Sequence, residues 1–156
     1  MMNKTDTLKK LIRNEIKSVI AEGTRALIGV ESSNGKIMSV YNHYDGYPQH
    51  AGKILDKYYS SNSKVSELIK YGRFGISFLD KSMKGGDDHS FKDPKKGETV
   101  FYGRDRGERD YMVSKASNRD KLKWDMGTEY AYIWSQKEKK WYYKSKYSNP
   151  QDWTEL

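Results

Sequence analysis

The first apolar pattern along the chain has the period of an amphipathic helix. Between about Asp6 and Ala21, apolar residues recur three and four positions apart, a spacing that gathers them on one helix face. They are Leu8, Leu11, Ile12, Ile16, Val19 and Ile20. Because this helix precedes the other elements, it either packs on the domain core or pairs with another copy of the chain in a homo-oligomer. Residues 1–22 are therefore set apart from a single domain at 23–156.

A β-hairpin is predicted next. Residues 25–31 and 36–44 are rich in Val, Ile, Leu and Tyr, which favour strands. Between them, Asn34-Gly35 supplies the positive φ that a tight hairpin turn requires. Asp45-Gly46 then interrupts the second strand, and its glycine can adopt a φ that other residues do not tolerate.

Helical periodicity returns after the hairpin. Pro48 suits the first turn of a helix at about 48–60, because the N–H group that proline lacks would have no partner there. Asn62 or Ser63 can cap a second short helix, which ends at the next glycine. A short strand can follow in "RFGISFLD", and residues 81–98 form a polar loop without periodicity.

The carboxy-terminal pattern is that of an aromatic hairpin. Aromatic and polar residues alternate on both sides of "QKEK", so one face of the two strands carries the packing positions. These are Tyr130, Tyr132, Trp134, Trp141 and Tyr143. The predicted fold class is α+β: an antiparallel sheet made from the N-terminal and C-terminal hairpins, two central helices and an appended N-terminal helix.

The composition is that of a folded domain, and it limits the cellular compartment in which we expect to find the protein. The 156 residues are 35% hydrophobic and 13% aromatic, so tyrosines and tryptophans must supply much of the core. The absence of cysteine excludes disulfides and thiolate metal sites, and it suits a reducing compartment. The chain has no apolar run near the roughly 18 residues that span a bilayer. We expect a cytoplasmic protein that does not associate with a membrane.

The formal net charge is +8, from 29 basic and 21 acidic residues. Such an excess favours acidic partners, among them nucleic acids and nucleotides. The charges are interspersed, however, and a lysine-rich proteome produces the same excess without any binding function. The charge therefore allows a phosphate-bearing partner but does not single one out.

The stretch "HYDGYPQH" places polar and aromatic side chains densely at a strand-to-helix turn. Its candidate ligand-binding residues are His43, Tyr44, Asp45, Tyr47, Gln49 and His50. The free N–H groups at the helix start, residues 49–51, and the helix dipole suit a phosphate or carboxylate. The alternative is a structural turn in which Asp45 caps and the tyrosines pack. A metal site is less favoured, because a third strong ligand is not evident.

A second cluster lies in "FYGRDRGER", where a predicted strand breaks at Gly103 into a charged turn. Arg104 and Arg106 flank Asp105, and glycines stand on both sides of the three. Arginine binds phosphate through two parallel hydrogen bonds and stacks on bases, so we expect these three residues to bind a ligand. The alternative is a surface ion-pair network, which contributes little to stability. Arg25, at the start of the first strand, is a third candidate.

Catalytic motifs are not evident. The chain lacks a Gly-x-Ser-x-Gly turn and a phosphate-binding loop that ends in Gly-Lys-Ser/Thr. A His–Asp acid–base pair could be built from His43 or His50 with Asp45 or Asp105, but the same side chains serve equally as hydrogen-bonding groups in a pocket. We predict no catalytic residue, no metal ligand and no cofactor.

Several of these motifs resemble those of a group of small proteins encoded by bacteriophages and prophages. That group has Gly-Thr-Arg before a hairpin, then His-Trp-Asp-Gly-Tyr, an Asn-Gly-x-Ile-Leu helix and Phe-Tyr-x-Arg-Asp-Arg-Gly-Glu. The matching positions here are 23–25, 43–47, 51–55 and 101–108. Tyr44 replaces the tryptophan of the group, and Ala51 replaces the asparagine. The resemblance implies a viral accessory protein that acts in the cytoplasm of an infected bacterium.

These observations lead to one expectation and two alternatives. We expect a phage accessory protein with an anti-defence role, which binds and sequesters a phosphate-bearing, nucleotide-type ligand without turnover. The arginines and the histidine-flanked turn would then line one pocket, with Tyr44 or Tyr47 stacked on a base. The alternatives are an inhibitor that binds nucleic acid or a host protein, and a phosphodiesterase-like enzyme.

Overall fold

An eight-stranded sheet organises the part of the chain that the structure describes. The computed structural model describes residues 24–109, 113–124, 126–147 and 152–156. The helix predicted within residues 1–22 lies outside them. The strands are β1 Arg25–Glu31, β2 Ile37–Tyr44, β3 Ile76–Phe78, β4 Val100–Phe101, β5 Ser114–Ala116, β6 Thr128–Ser135, β7 Lys140–Ser145 and β8 Thr154–Glu155. Their order is β4-β3-β2-β1-β6-β7-β8, and β5 pairs with β2 beside this path.

Both predicted hairpins are present, and a parallel pair joins them. β1 and β2 are antiparallel, with Ala26 opposite Asn42, and β6 and β7 are antiparallel, with Tyr132 opposite Tyr143. β1 lies parallel to β6, and β2 lies parallel to β3. Together with the helices, this mostly antiparallel sheet confirms the predicted α+β class.

The first hairpin turns through a three-residue loop. The Ser32 N–H donates to the Lys36 carbonyl at 2.9 Å and closes the loop, inside which Gly35 has a φ of 85°. A left-handed residue at the end of a three-residue loop is a common hairpin geometry. The side-chain carbonyl of Asn34 accepts a hydrogen bond from the Lys36 N–H at 3.1 Å. Both residues of the predicted Asn-Gly pair therefore shape the turn, but only the glycine needs a positive φ.

Two central helices cover one face of the sheet. The helices are α1 Lys53–Tyr58, which continues a π-helical turn at Pro48–Gly52, α2 Asn62–Tyr71 and α3 Tyr102–Arg106, with a 3-10 turn at Arg119–Lys121. Ser61 caps α2 by accepting a hydrogen bond from the Lys64 N–H at 3.2 Å, one residue before the predicted cap. Asn62 is engaged elsewhere, because its side-chain carbonyl accepts from Nε1 of Trp134 at 2.7 Å.

Aromatic side chains of the second hairpin fill much of the core under these helices. Tyr132, Trp134 and Trp141 are almost completely buried, and Tyr130 and Tyr143 are half-buried against the same cluster. All five positions predicted to pack do so. Buried aromatic side chains of this size need partners for their polar atoms. The Tyr132 hydroxyl donates to the Gly46 carbonyl at 2.7 Å, and Nε1 of Trp141 donates to the Tyr59 carbonyl at 3.2 Å.

A smaller cluster covers the opposite face of the sheet. Its buried members are Leu27, Ile37, Leu122, Ala131 and Ile133, with Trp124 and Trp153 packed against them. The sheet is therefore covered on both faces.

Tyr59 connects α1 to the strand that leads into residues 81–98. Its hydroxyl donates to the Asp80 carbonyl at 2.6 Å and shares a 3.1 Å hydrogen bond with Oγ1 of Thr99. Burial raises the pKa of Tyr59 to about 12, so this hydroxyl remains protonated and able to donate.

We expect Tyr59→Phe to lower the free energy of unfolding by about 1–2 kcal/mol, because it removes a donor from a buried network. Urea unfolding followed by tryptophan fluorescence measures the change. Tyr58→Phe is the matched control, since the Tyr58 hydroxyl forms no hydrogen bond with any of the described residues. Equal losses in the two variants would contradict a specific role for the Tyr59 hydroxyl.

Candidate functional site

The arginine-rich segment folds as a short strand and a one-turn helix, not as the predicted charged turn. β4 ends at Phe101, and α3 begins directly at Tyr102. Gly103 is helical and lies flat against a ring, because a Cβ there would be 2.8 Å from Cδ2 of Phe74. Gly107 ends the helix with a left-handed φ of 72°. The two glycines thus serve close packing and helix termination rather than a hinge.

Arg104 is held by the protein itself. Its Nε donates to Oδ1 of Asp105 at 2.8 Å, and its terminal nitrogens donate to the carbonyls of Met83 at 2.6 Å and Thr99 at 3.2 Å. Its Cζ lies 4.7 Å from the centre of the Phe101 ring. With these donors occupied, Arg104 anchors the loop 81–98 instead of projecting into open space.

Asp105 forms the other half of this anchor. Its carboxylate accepts from the Phe101 N–H at 2.8 Å and lies 3.3 Å from Nε2 of His89. Because Nδ1 of His89 accepts from the Lys95 N–H at 3.0 Å, the neutral imidazole carries its proton on Nε2 and donates it to Asp105. The side chains of His89 and Asp105 are only 1% and 7% exposed. The loop is thereby fastened to α3 at its middle.

Burial alone would raise the pKa of Asp105, but its hydrogen bonds from Arg104 and from the Phe101 N–H outweigh burial. The pKa of Asp105 therefore lies below its usual value of 3.8. Glu98 follows the same rule. Burial opposes its ionisation, yet hydrogen bonds from the Gly85 N–H, at 2.8 Å, and from Ser82 leave the pKa of Glu98 lowered. Both carboxylates are charged when they hold the loop.

Between this fastened loop and the sheet edge lies a cavity of about 440 Å³, which we call the edge cavity. Its walls carry aromatic rings, cations and two acids: Tyr44, Phe78, Phe91, Tyr102, Lys95, Lys96, Arg106, Asp80 and Glu98. Glu98 is directed to the loop backbone, and Oδ1 of Asp80 accepts from the Lys81 N–H at 2.8 Å. Small-molecule sites have this size and mixture of apolar and polar walls.

Arg106 is an exposed cation of the edge cavity that lies over an aromatic ring. Its side chain is 55% exposed, and its Cζ lies 4.7 Å from the centre of the Phe91 ring. Its Nε is 3.5 Å from Oε2 of Glu108, which is an ion pair without a hydrogen bond. Lys95 makes a similarly loose and exposed pair with Asp88, also at 3.5 Å. Such pairs contribute little, so these cations can turn towards an anion.

Tyr44 brings the histidine-flanked turn to the same cavity. Tyr44 is 41% exposed, and its ring stands perpendicular to the His43 ring, with centroids 4.4 Å apart. His43 also faces Tyr102 at 6.3 Å, and its Nδ1 shares a 2.6 Å hydrogen bond with the Tyr41 hydroxyl. Burial, and then the nearby Arg25, lower the pKa of His43. His43, which we predicted to bind the ligand, therefore supports the tyrosine wall as a neutral ring and does not supply positive charge to the cavity.

At the start of the helix, two of the three N–H groups that we predicted to be free are engaged. The N–H groups of His50 and Ala51 both donate to the Tyr47 carbonyl, at 3.1 and 3.0 Å, in the π-helical turn. Nε2 of His50 donates to the Leu79 carbonyl at 2.9 Å, and its ring lies 4.8 Å from that of Phe78. His50 thus packs behind one cavity wall, and the N–H groups of His50 and Ala51 are not free to bind a phosphate.

The remaining predicted residues lie outside the lining of the edge cavity. In the turn that follows β2, the residue with a positive φ is Asp45, at 55°, and not Gly46 as we predicted. Gly46 instead permits close approach, because a Cβ there would be 2.8 Å from that of Ala26. Tyr47 and Gln49 do not line the cavity. A terminal nitrogen of Arg25 donates to the Met126 carbonyl at 3.0 Å.

The structure thus brings together Tyr44 and Arg106 from the two predicted clusters, with His43 and His50 behind the wall. Sequence reasoning missed Phe91, Lys95, Lys96 and Tyr102. One signal was present: Phe91 is a lone aromatic residue in the polar loop, with lysines close behind it. An exposed loop rarely needs a large ring unless that ring covers something.

Comparisons with known proteins find no family model, no curated protein and no solved structure that matches this chain. Among the described residues, no three His, Asp or Glu side chains are grouped so that they could hold a metal ion. Within the same part of the chain, no helix has both the length and the apolar character to cross a membrane.

We expect Asp105→Asn to destabilise the protein by about 2 kcal/mol at pH 7, because hydrogen bonds to a charged group are lost. The folded pKa of Asp105 is lowered, so its contribution is complete above the unfolded value of 3.8 and disappears as the pH falls through the folded value. The difference from wild type should therefore shrink below about pH 4. Urea unfolding at pH 3 to 7 measures it.

The control for this prediction is Asp87→Asn, an exposed carboxylate in the same loop. It should leave stability within about 0.5 kcal/mol of wild type at each pH. A difference between Asp105→Asn and wild type that stays constant down to pH 3 would contradict the role of the ionised carboxylate.

Proposed function

We propose that this protein binds a phosphate-bearing, nucleotide-type ligand in the edge cavity and sequesters it without turnover. One observation carries the proposal: a cavity of about 440 Å³ in which exposed aromatic rings lie beside cations that are loosely paired or unpaired within the described residues. A nucleotide has the complementary pair of features, a flat base and a charged phosphate.

In this proposal, Tyr44 stacks on the base and Arg106 binds the phosphate. Tyr44 is exposed but supported from behind by His43, so its ring is held in place before the ligand arrives. Stacking of a base on an aromatic side chain is worth about 1–3 kcal/mol. Arg106 offers a planar fork for two phosphate oxygens, and Lys95 and Lys96 can neutralise a second phosphate.

Binding without turnover is favoured over phosphodiester cleavage by the environment of the histidines. His89 uses both ring nitrogens within the protein, Nε2 of His50 is bonded to a carbonyl, and Nδ1 of His43 is bonded to Tyr41. A general base needs a ring nitrogen that can reach the substrate. His43 and His50 each keep one ring nitrogen outside these bonds, but His43 lies behind Tyr44 and His50 packs behind Phe78.

The resemblance to phage-encoded proteins supplies the proposed setting. A viral accessory protein that removes a nucleotide signal from the cytoplasm of an infected cell would counteract host defence by stoichiometric binding. Such a role requires affinity and abundance rather than catalysis.

We expect Arg106→Gln to weaken nucleotide binding by at least about tenfold, because a hydrogen bond to a charged group is lost. Tyr44→Ala should weaken it by about five- to hundredfold through loss of stacking. Calorimetric titration with a panel of mononucleotides and dinucleotides measures both. Lys137→Gln and Tyr147→Ala are matched controls, since both side chains are exposed and neither lines the edge cavity. Wild-type affinity in Arg106→Gln and Tyr44→Ala would overturn the proposed site.

Sequestration makes a separate prediction about the fate of the ligand. After incubation with excess protein and heat denaturation, the nucleotide should be recovered chemically unchanged and in full amount. Chromatography of the released material measures this. New products that form with wild type but not with Arg106→Gln would identify an enzyme instead.

A further inference from the structure

A second cavity, of about 310 Å³, adjoins α3 and has a different chemical character from the edge cavity. It is lined by Lys70, Arg73, Arg104 and Arg109, together with the rings of Tyr71 and Phe74, and we call it the arginine groove. Among the described residues that line it there is no Asp or Glu. Four cations therefore face one space without a carboxylate in its walls.

Phe74 holds two of these arginines in place. The Cζ atom of Arg73 lies 4.8 Å from the centre of the Phe74 ring, and that of Arg109 lies 5.5 Å from it. Cation–π contacts of this kind are worth about 0.5–1 kcal/mol at exposed sites. Two guanidinium groups on one ring repel each other, however, and that repulsion is relieved when an anion lies between them.

No counter-ion within the described residues neutralises these side chains. The ion pairs of this part of the chain do not involve Lys70, Arg73 or Arg109. Arg104 is not one of these unpaired cations, because its guanidinium is paired with Asp105 and bonded to two carbonyls.

The end of α3 beside the groove is closed by two backbone hydrogen bonds. The left-handed Gly107 lets the Gly107 and Glu108 N–H groups return to the carbonyls of Gly103 and Tyr102, at 2.9 and 3.0 Å. Space is open beside Gly107, where a Cβ would meet no atom within 4 Å.

The rings of the groove are not available to stack on a base. Phe74 is covered by Arg73 and Arg109, and the guanidinium of Arg104 lies 5.7 Å from the centre of the Tyr71 ring. We infer that the arginine groove is a second binding site, which takes phosphate groups irrespective of any base attached to them. The phosphates can come from a nucleic-acid backbone or from a small polyphosphate. This site is independent of the edge cavity.

Fluorescence anisotropy of a labelled dT12 oligonucleotide, with inorganic tripolyphosphate as competitor, tests the inference on the full-length protein. The variant Arg73→Gln/Arg109→Gln should bind dT12 at least about tenfold more weakly than wild type, because two arginine–phosphate contacts are lost. The magnitude of the slope of log affinity against log salt should decrease by about 1.4. Each phosphate contact on a single strand contributes about 0.7 to this slope, and the variant loses two contacts.

The matched control is Lys36→Gln/Lys137→Gln, which removes the same charge. Both lysines are exposed in hairpin turns at the end of the sheet where Glu31 pairs with Ser135, away from α3. Its affinity should stay within about twofold of wild type. Equal losses in the two double variants would mean that net charge alone matters and would overturn the site. Unchanged melting temperatures would establish that Arg73→Gln/Arg109→Gln remains folded.

The two probes distinguish the sources of phosphate. Displacement of dT12 by tripolyphosphate supports a site that accepts free phosphates, and dT12 binding without displacement supports a site for a nucleic-acid backbone. Failure of both probes to bind wild type would overturn the inference. Arg73→Gln/Arg109→Gln also separates this result from the proposed function, because it should weaken dT12 binding but leave mononucleotide binding within about twofold, since neither arginine lines the edge cavity. An equal loss of mononucleotide binding would show that the groove is not an independent site.

Discussion

The site depends on the ion pair between Arg104 and Asp105. The loop 81–98 contains no helix or strand of its own, so its path is set by what it is tied to. Arg104 reaches the Met83 carbonyl near one end of the loop, and Asp105 holds His89 at its centre. Phe91, Lys95 and Lys96, which form one wall of the edge cavity, follow directly from that anchored histidine. Without the pair, the loop would lose its hold on α3 and the cavity would lose a wall.

Because α3 is a single helical turn, Arg104 and Arg106 have different roles. Arg104 holds the structure together, and Arg106 is left for the proposed binding. In a helix with 3.6 residues per turn, side chains two positions apart project about 200° apart. Arg104 is therefore directed towards the carbonyls of Met83 and Thr99, whereas Arg106 extends to the edge cavity with more than half of its side chain exposed. In the motif Arg-Asp-Arg, Arg104 and Asp105 fasten the helix to the loop, and Arg106 is exposed and only loosely paired. An irregular turn would not hold Arg104 so firmly.

Local sequence patterns predicted the elements well and the site only in part. The strands of both hairpins and the five aromatic packing positions follow from alternation, which is a property of neighbouring residues. The parallel pairing of β1 with β6 depends on contacts about one hundred positions apart, which no local pattern encodes. For the same reason the sequence did not reveal that Arg104 is used internally. It also did not reveal that His43 is neutral, since its pKa is lowered by burial and by Arg25, on the neighbouring strand.

Both proposed sites share a thermodynamic consequence. Arg106, Arg73 and Arg109 are cations near a single short helix, and the described residues offer them one loose carboxylate, that of Glu108. Their mutual repulsion lowers the stability of the folded state. An anion that binds the native state alone removes part of this repulsion and adds its own binding free energy to stability. Unpaired cations lower the stability of the ligand-free protein, and a bound anion restores that stability. We expect a protein to keep such cations where binding is its function. This is why exposed rings and unpaired cations around α3 favour ligand binding over a merely charged surface.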